Sequence, residues 1–135
     1  MRKRTRAREL ALQLLYQIDA RGDEILGTID DYLAREEPDE DVRRFARELI
    51  DGTGEMRPGI DEIIAAAAQN WHLSRMTLVD RNILRMAVYE MLHVPDIPAK
   101  VSINEAIELG KRYSTQQSGA FINGILDRIR REKQI

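Results

Sequence analysis

Apolar residues recur every three or four positions along almost the whole chain, and no stretch alternates as a strand would. The spacing predicts a first helix over about 4–20, with Ala7, Ala11, Leu14, Leu15 and Ile18 on one face and Arg4, Arg8 and Gln17 off it. Gly22 and Asp23 end it. A second helix carries Ile25, Ile29, Tyr32 and Leu33, and a loop follows around Pro38. A third holds Val42, Phe45, Ala46, Leu49 and Ile50, and is expected to stop at Gly52 and Gly54. Pro58 suits the first turn of a fourth, with Ile60, Ile63, Ile64 and Ala67 inside.

Residues 70–75 read as a connection, with Trp71 expected to plug it against a core. Thr77 and Asp80 open a fifth helix in the manner of a capping box, and Leu84, Ala87, Val88 and Met91 form its buried stripe. Pro95 and Pro98 make 94–98 an extended connector, since a proline disfavours helix at the residue before it. Ser102 and Glu105 then form a capping box for a sixth helix through Gly110. After a turn at 114–118, a seventh carries Phe121, Ile122, Ile125, Leu126 and Ile129. The fold class is therefore all-α, about seven helices in one domain over 1–135, with helical subdomains of about 1–70 and 71–135 meeting near Trp71.

At 135 residues the chain is long enough for a real core without staples. It has no Cys, which removes disulfides and thiolate metal sites and fits a reducing, cytoplasmic setting. No apolar run approaches the roughly 18 residues of a membrane span, and Glu9 and Gln13 interrupt the one stretch that resembles a signal peptide.

Charge changes the picture more than composition does. The net charge of −2 alone argues against a polyanionic partner. Its distribution argues for one: Arg2, Lys3, Arg4, Arg6 and Arg8 crowd the start, Arg128, Arg130, Arg131 and Lys133 crowd the end, and acids concentrate between Asp19 and Glu62. A basic face can bind polyanions while other faces stay acidic. Arginine outnumbers lysine 17 to 4, and its planar fork suits phosphates and stacks on bases.

Candidate catalytic chemistry is sparse. His72 and His93 are isolated, and no His-Glu-x-x-His pair offers a zinc site. Gly52-Thr53-Gly54 lacks the lysine of a phosphate loop, and no serine has a nucleophile-elbow context. Glu105 and Glu108 lack the partners of a di-metal site. No enzyme activity, cofactor or metal is expected. What remains is a binding surface of the N-terminal basic residues, the Lys111-Arg112-Tyr113 run and the turn before Phe121, with Tyr16, Tyr113 and Phe121 as faces on which bases can stack.

Three blocks of residues resemble the NusB family. They are Arg6-Ala7-Arg8-Glu9-Leu10-Ala11-Leu12-Gln13-Leu14-Leu15-Tyr16; Val79-Asp80-Arg81-Asn82-Ile83-Leu84-Arg85-Met86-Ala87-Val88-Tyr89-Glu90-Met91-Leu92; and the run from Asp96-Ile97-Pro98 through Val101-Ser102-Ile103-Asn104-Glu105-Ala106-Ile107-Glu108-Leu109 to Phe121-Ile122-Asn123-Gly124-Ile125-Leu126-Asp127. Residues 19–70 match by helical pattern alone. The resemblance implies an all-helical fold of two small bundles. It also implies binding to the boxA element of ribosomal-RNA leaders, together with the ribosomal protein NusE, in an antitermination complex on RNA polymerase. It places RNA contacts on Arg4, Arg6 and Arg8, with Tyr16 and Phe121 beside them; Arg2, Lys3 and Arg112 extend that set. It places a partner-facing edge at Asp80, Gln117 and Ser118. Asp80 stands where some members have Glu, and Gln117 where some have an acid. Monomer and homodimer both remain open. Two rivals stay beside this reading: a helical adaptor for acidic proteins, and the RNA-binding piece of a ribosomal-RNA methyltransferase.

Overall fold

The computed structural model describes residues 2–69 and 71–135. Seven α-helices carry the fold: α1 Lys3–Arg21, α2 Ile29–Glu36, α3 Glu40–Glu55, α4 Arg57–Ala67, α5 Leu78–His93, α6 Ala99–Tyr113 and α7 Ser118–Lys133. Short 3₁₀ turns at Asp23–Thr28 and Leu73–Arg75 link α1 to α2 and α4 to α5. The described residues include no strand, and none of their helices is long and apolar enough to cross a membrane.

The ends follow local chemistry. Gly22, at φ 85°, turns the chain out of α1 while its N–H donates to the Ile18 carbonyl; that left-handed region is one glycine enters without strain. The Asp39 carboxylate accepts from the Asp41 N–H at the start of α3, and the Thr77 hydroxyl from the Asp80 N–H at the start of α5. Each thereby satisfies an amide that the helix cannot. Pro58 sits in the first turn of α4, where its missing N–H costs nothing.

α1 lies between α3 on one side and α5 on the other; α5 also packs on α6 and α7, and α4 bridges α5 and α7. The buried apolar residues form one continuous cluster, in which Leu14, Leu49, Ile64, Leu84, Ile122 and Leu126 are at most 1 % exposed.

Three helix boundaries depart from the sequence-based expectation. Ile25 lies in the 3₁₀ turn Asp23–Thr28, and α2 begins only at Ile29. α6 begins at Ala99, directly after Pro98, so Ser102 is not its cap. The Ser102 hydroxyl donates instead to the buried Glu90 carboxylate of α5 at 2.8 Å. α3 runs through Gly52 to Glu55. Gly52 serves packing here, because a Cβ at this position would fall on the Tyr89 ring of α5. Gly52→Ala is accordingly expected to cost about 1–3 kcal/mol by overpacking. Gly54→Ala, with open space around it, should leave the thermal midpoint unchanged or raise it. Equal midpoints for the two variants would contradict this close approach.

Candidate nucleic-acid interface

The basic start of α1 divides into exposed and buried cations. Arg2, Lys3 and Arg4 are exposed and Arg6 is half-buried. Lys3 pairs with Asp39 at 3.1 Å and Asp41 at 3.3 Å, Arg4 with Asp96 at 3.1 Å, and Arg6 with Glu37 at 3.4 Å. Arg4 also lies over the Phe45 ring, 4.7 Å from its centre. The Lys3 and Arg4 pairs are solvent-exposed and worth about 0–1 kcal/mol each, so an incoming phosphate can take these two cations over at little cost, whereas Arg6 is held by the largely buried Glu37.

Arg8 is different. The periodicity places it on the polar side of α1, yet it is 4 % exposed. Its guanidinium donates from Nε to Glu90 at 2.9 Å, from a second nitrogen to the other Glu90 oxygen, and from a third to Glu105 at 2.7 Å. The Thr5 hydroxyl also donates to Glu105. Arg8 therefore ties α1 to α5 and α6. This corrects its placement among the accessible cations, for its donors are spent inside the protein.

Farther along α1, the buried Glu9 carboxylate gathers the end of α6. Tyr113 donates its hydroxyl to Glu9 at 2.8 Å, Arg112 donates to the same oxygen, and Arg6 stands 3.7 Å from the other. Burial and the Glu9 carboxylate raise the Tyr113 hydroxyl above the ordinary tyrosine value, so it stays a donor. Arg112 keeps half its side chain in solvent, and Tyr16 stands partly exposed about two turns beyond Glu9 on α1. Sequence reasoning missed Glu9, because a carboxylate in a basic run reads only as a charge that breaks the run.

The α5 and α7 starts meet at the next station. Trp71 is 52 % exposed and meets Phe121 edge to face, ring centres 5.7 Å apart. Trp71 thus lies outside the core rather than plugging it, and Met76, which lines the same hollow, is the buried residue at that corner. The two rings line a cavity of about 210 Å³ with Arg75, Gln117 and Thr115. Asp80 and Ser118 lie behind it, 8 % and 1 % exposed, and the Ser118 hydroxyl donates to Asp80 at 3.1 Å. Asp80 is therefore no open edge charge but a tie between α5 and α7; Gln117 is the exposed member of that trio. The second Asp80 oxygen is buried with no hydrogen-bond partner.

The Tyr16–Tyr113 region and the Trp71–Phe121 corner adjoin through consecutive residues of α5, with Val79 bordering the first and Asp80 the second. His72 and His93 are both exposed, and among the described residues no three acidic or histidine side chains converge as a metal site.

This fold and surface define a class: an all-helical binding protein with accessible cations at the start of its first helix and exposed aromatic rings on α1, on α6 and ahead of α5. Residues 5–131 match the NusB family, and the chain belongs to that family. It is 49 % identical to the transcription antitermination protein NusB of Desulforapulum autotrophicum, across 100 % of this chain and 96 % of that one. It is 44 % identical to the protein of that name from Myxococcus xanthus, across 96 % and 95 %. Among solved structures, NusB of T. maritima superposes with a TM-score of 0.88 at 41 % identity, covering 96 % of this chain and 91 % of that one. A crystal structure of the antitermination factors NusB and NusE in complex with double-stranded RNA matches with a TM-score of 0.87 at 27 % identity, covering 98 % of both chains.

Proposed function

We propose that this protein is a transcription antitermination factor that binds RNA together with NusE. The observation that carries this is near-half identity, over essentially full length, to proteins named for that activity. The solved NusB–NusE–RNA complex of the same fold supports the two partners. The RNA is a boxA-type element of ribosomal-RNA leaders, and the pair acts within an antitermination complex on RNA polymerase. The protein works by binding rather than by turnover. Arg2, Lys3, Arg4, Arg6 and Arg112 hold phosphates, while Tyr16, Phe121 and Trp71 offer faces to unstacked bases. Gln117 and its surroundings face NusE. A second RNA-contacting chain held alongside raises the affinity of the pair above either alone, through effective concentration.

A gel shift with a boxA-containing RNA, with and without NusE, tests this. Binding that is tighter with NusE, and tighter than to a scrambled RNA of equal length, is the expected result. Equal binding to any polyanion of the same charge would favour an adaptor for acidic partners. Arg2→Ala, Lys3→Ala and Arg4→Ala combined, all at exposed side chains, should keep the parental melting temperature to within a few degrees. The slope of log K against log salt should flatten by about 2, at roughly 0.7 per lost phosphate contact on a single strand. An unchanged slope would remove these residues from the interface.

A further inference from the structure

Between α1, α2 and the end of α6 lies a cavity of about 310 Å³. That is at the small end of the roughly 300–1,000 Å³ of ligand pockets. Tyr16, Tyr32 and Tyr113 form its walls, Leu10 and Val79 add apolar surface, and Gln13 is exposed at its edge. Arg6 stands at the same opening, and the carboxylates of Glu9 and Glu36 border it.

This lining offers a phosphate no unengaged cation. Arg6 stands near Glu9 and Glu37, while Arg112 and Arg35 pair with the two lining carboxylates, Glu9 and Glu36. A neutral planar ring meets aromatic faces on several sides instead. Its edge meets the Glu36 carboxylate, which accepts only, and the Gln13 amide, which can do either. Glu36 is exposed, with Arg35 3.7 Å away as its ion-pair contact, so an oxygen remains for a donor. Glu9 also keeps the third wall in place, since Tyr113 is fixed by its hydroxyl bond to that carboxylate.

The geometry points to a pocket that takes one unstacked nucleobase from the bound RNA strand and prefers a base with an exocyclic amine, which donates to Glu36 or Gln13, over uracil. This rests on the RNA-binding reading above and adds to it a base-selecting subsite formed by Gln13, Tyr32, Glu36 and Tyr113. The exposed cations of α1, Arg2, Lys3 and Arg4, carry the phosphates of the strand onward.

The test pairs protein variants with altered RNA. A short boxA-type oligoribonucleotide is made with an abasic site at each position in turn, and its affinity is measured for the parent protein and for Gln13→Ala, Tyr32→Leu and Tyr32→Phe. Thermal melting confirms that each variant is folded. One abasic position should weaken binding to the parent by about tenfold or more, the scale of a lost base–aromatic stack. At that position alone, Tyr32→Leu and Gln13→Ala should cause no further loss, whereas on intact RNA each should weaken binding several-fold. Tyr32→Phe should retain most of the affinity. Uracil at the same position should bind more weakly than cytosine or adenine. If the parent binds RNA in a salt-dependent way but the variants lose equal affinity on every abasic RNA, or none, the pocket is overturned and the RNA-binding reading survives. If the parent binds no RNA, with or without NusE, both fall.

Discussion

Arg8→Met is expected to lower the stability of the folded protein by about 3–5 kcal/mol, the usual effect of removing one partner from a buried ion pair. Native domains hold only about 5–15 kcal/mol in all, so this single change takes a large share. The effect arises less from the lost attraction than from what stays behind. Glu90 is 1 % exposed, and without the guanidinium its charge would keep only the Ser102 hydroxyl as a donor. Replacing both partners, Arg8→Met with Glu90→Leu, should recover a substantial part of the loss, because a well-packed apolar pair needs no desolvated charge. Urea midpoints of the parent, the single and the double variant decide the matter. A single variant as stable as its parent would mean that Arg8 is solvated after all, and would return it to the RNA-binding set.

The second large effect centres on Asp19. Its carboxylate accepts from Arg81 at 2.7 and 2.9 Å, from Asn82 at 2.9 Å and from Arg85 at 3.0 Å, with Arg57 at 3.4 Å. Burial works against its charge. The hydrogen bonds of Arg81 and Asn82 and the Arg85 charge outweigh burial and hold its pKa at about 2, below the ordinary 3.8. A depressed carboxylate contributes stability that is fully present above its unfolded value and is lost as pH falls through the folded one. Here that window runs from somewhat above 3.8 down to about 2, and the contribution is about 2 kcal/mol. Asp19→Ala should cost more at neutral pH, about 3–5 kcal/mol, because Arg85 is 4 % exposed and would keep only Asp61 as an acid. Stability measured across the acid range on the parent and on Asp19→Asn should show the parent converging on the variant as pH falls. Parallel curves would refute the role of this carboxylate.

Both hubs show where sequence reading stops. The helices were legible because their apolar spacing is regular: Leu84, Val88 and Met91 announce α5, and Ile122, Leu126 and Ile129 announce α7. The same rule assigns every charge to solvent, and there it fails for Arg8, Asp19, Arg85 and Glu90. Their partners lie far apart in the chain, Arg8 and Glu90 by 82 residues, and no local spacing reveals such a pair. Ser102 and Glu105 form a plausible cap motif, but a buried arginine claims Glu105 and a buried acid claims the Ser102 hydroxyl. Of the candidate interface, the exposed cations Arg2, Lys3, Arg4 and Arg112 were legible from charge crowding. Glu9 and Tyr32 were not, because their places depend on how α1 meets α2 and α6.

The edge-to-face contact of Trp71 with Phe121 has an optical consequence. Trp71 is the single tryptophan of the chain, and it stands half in water beside Gln117 and Arg75. Emission excited at the red edge of indole absorption therefore comes from that corner alone, free of any background from the interior. Covering the corner with a base or a neighbouring chain changes the polarity around the indole and brings new quenching groups to it. Occupancy there can be followed in real time on the unlabelled protein, while the tyrosine cavity farther along the first helix stays spectrally silent.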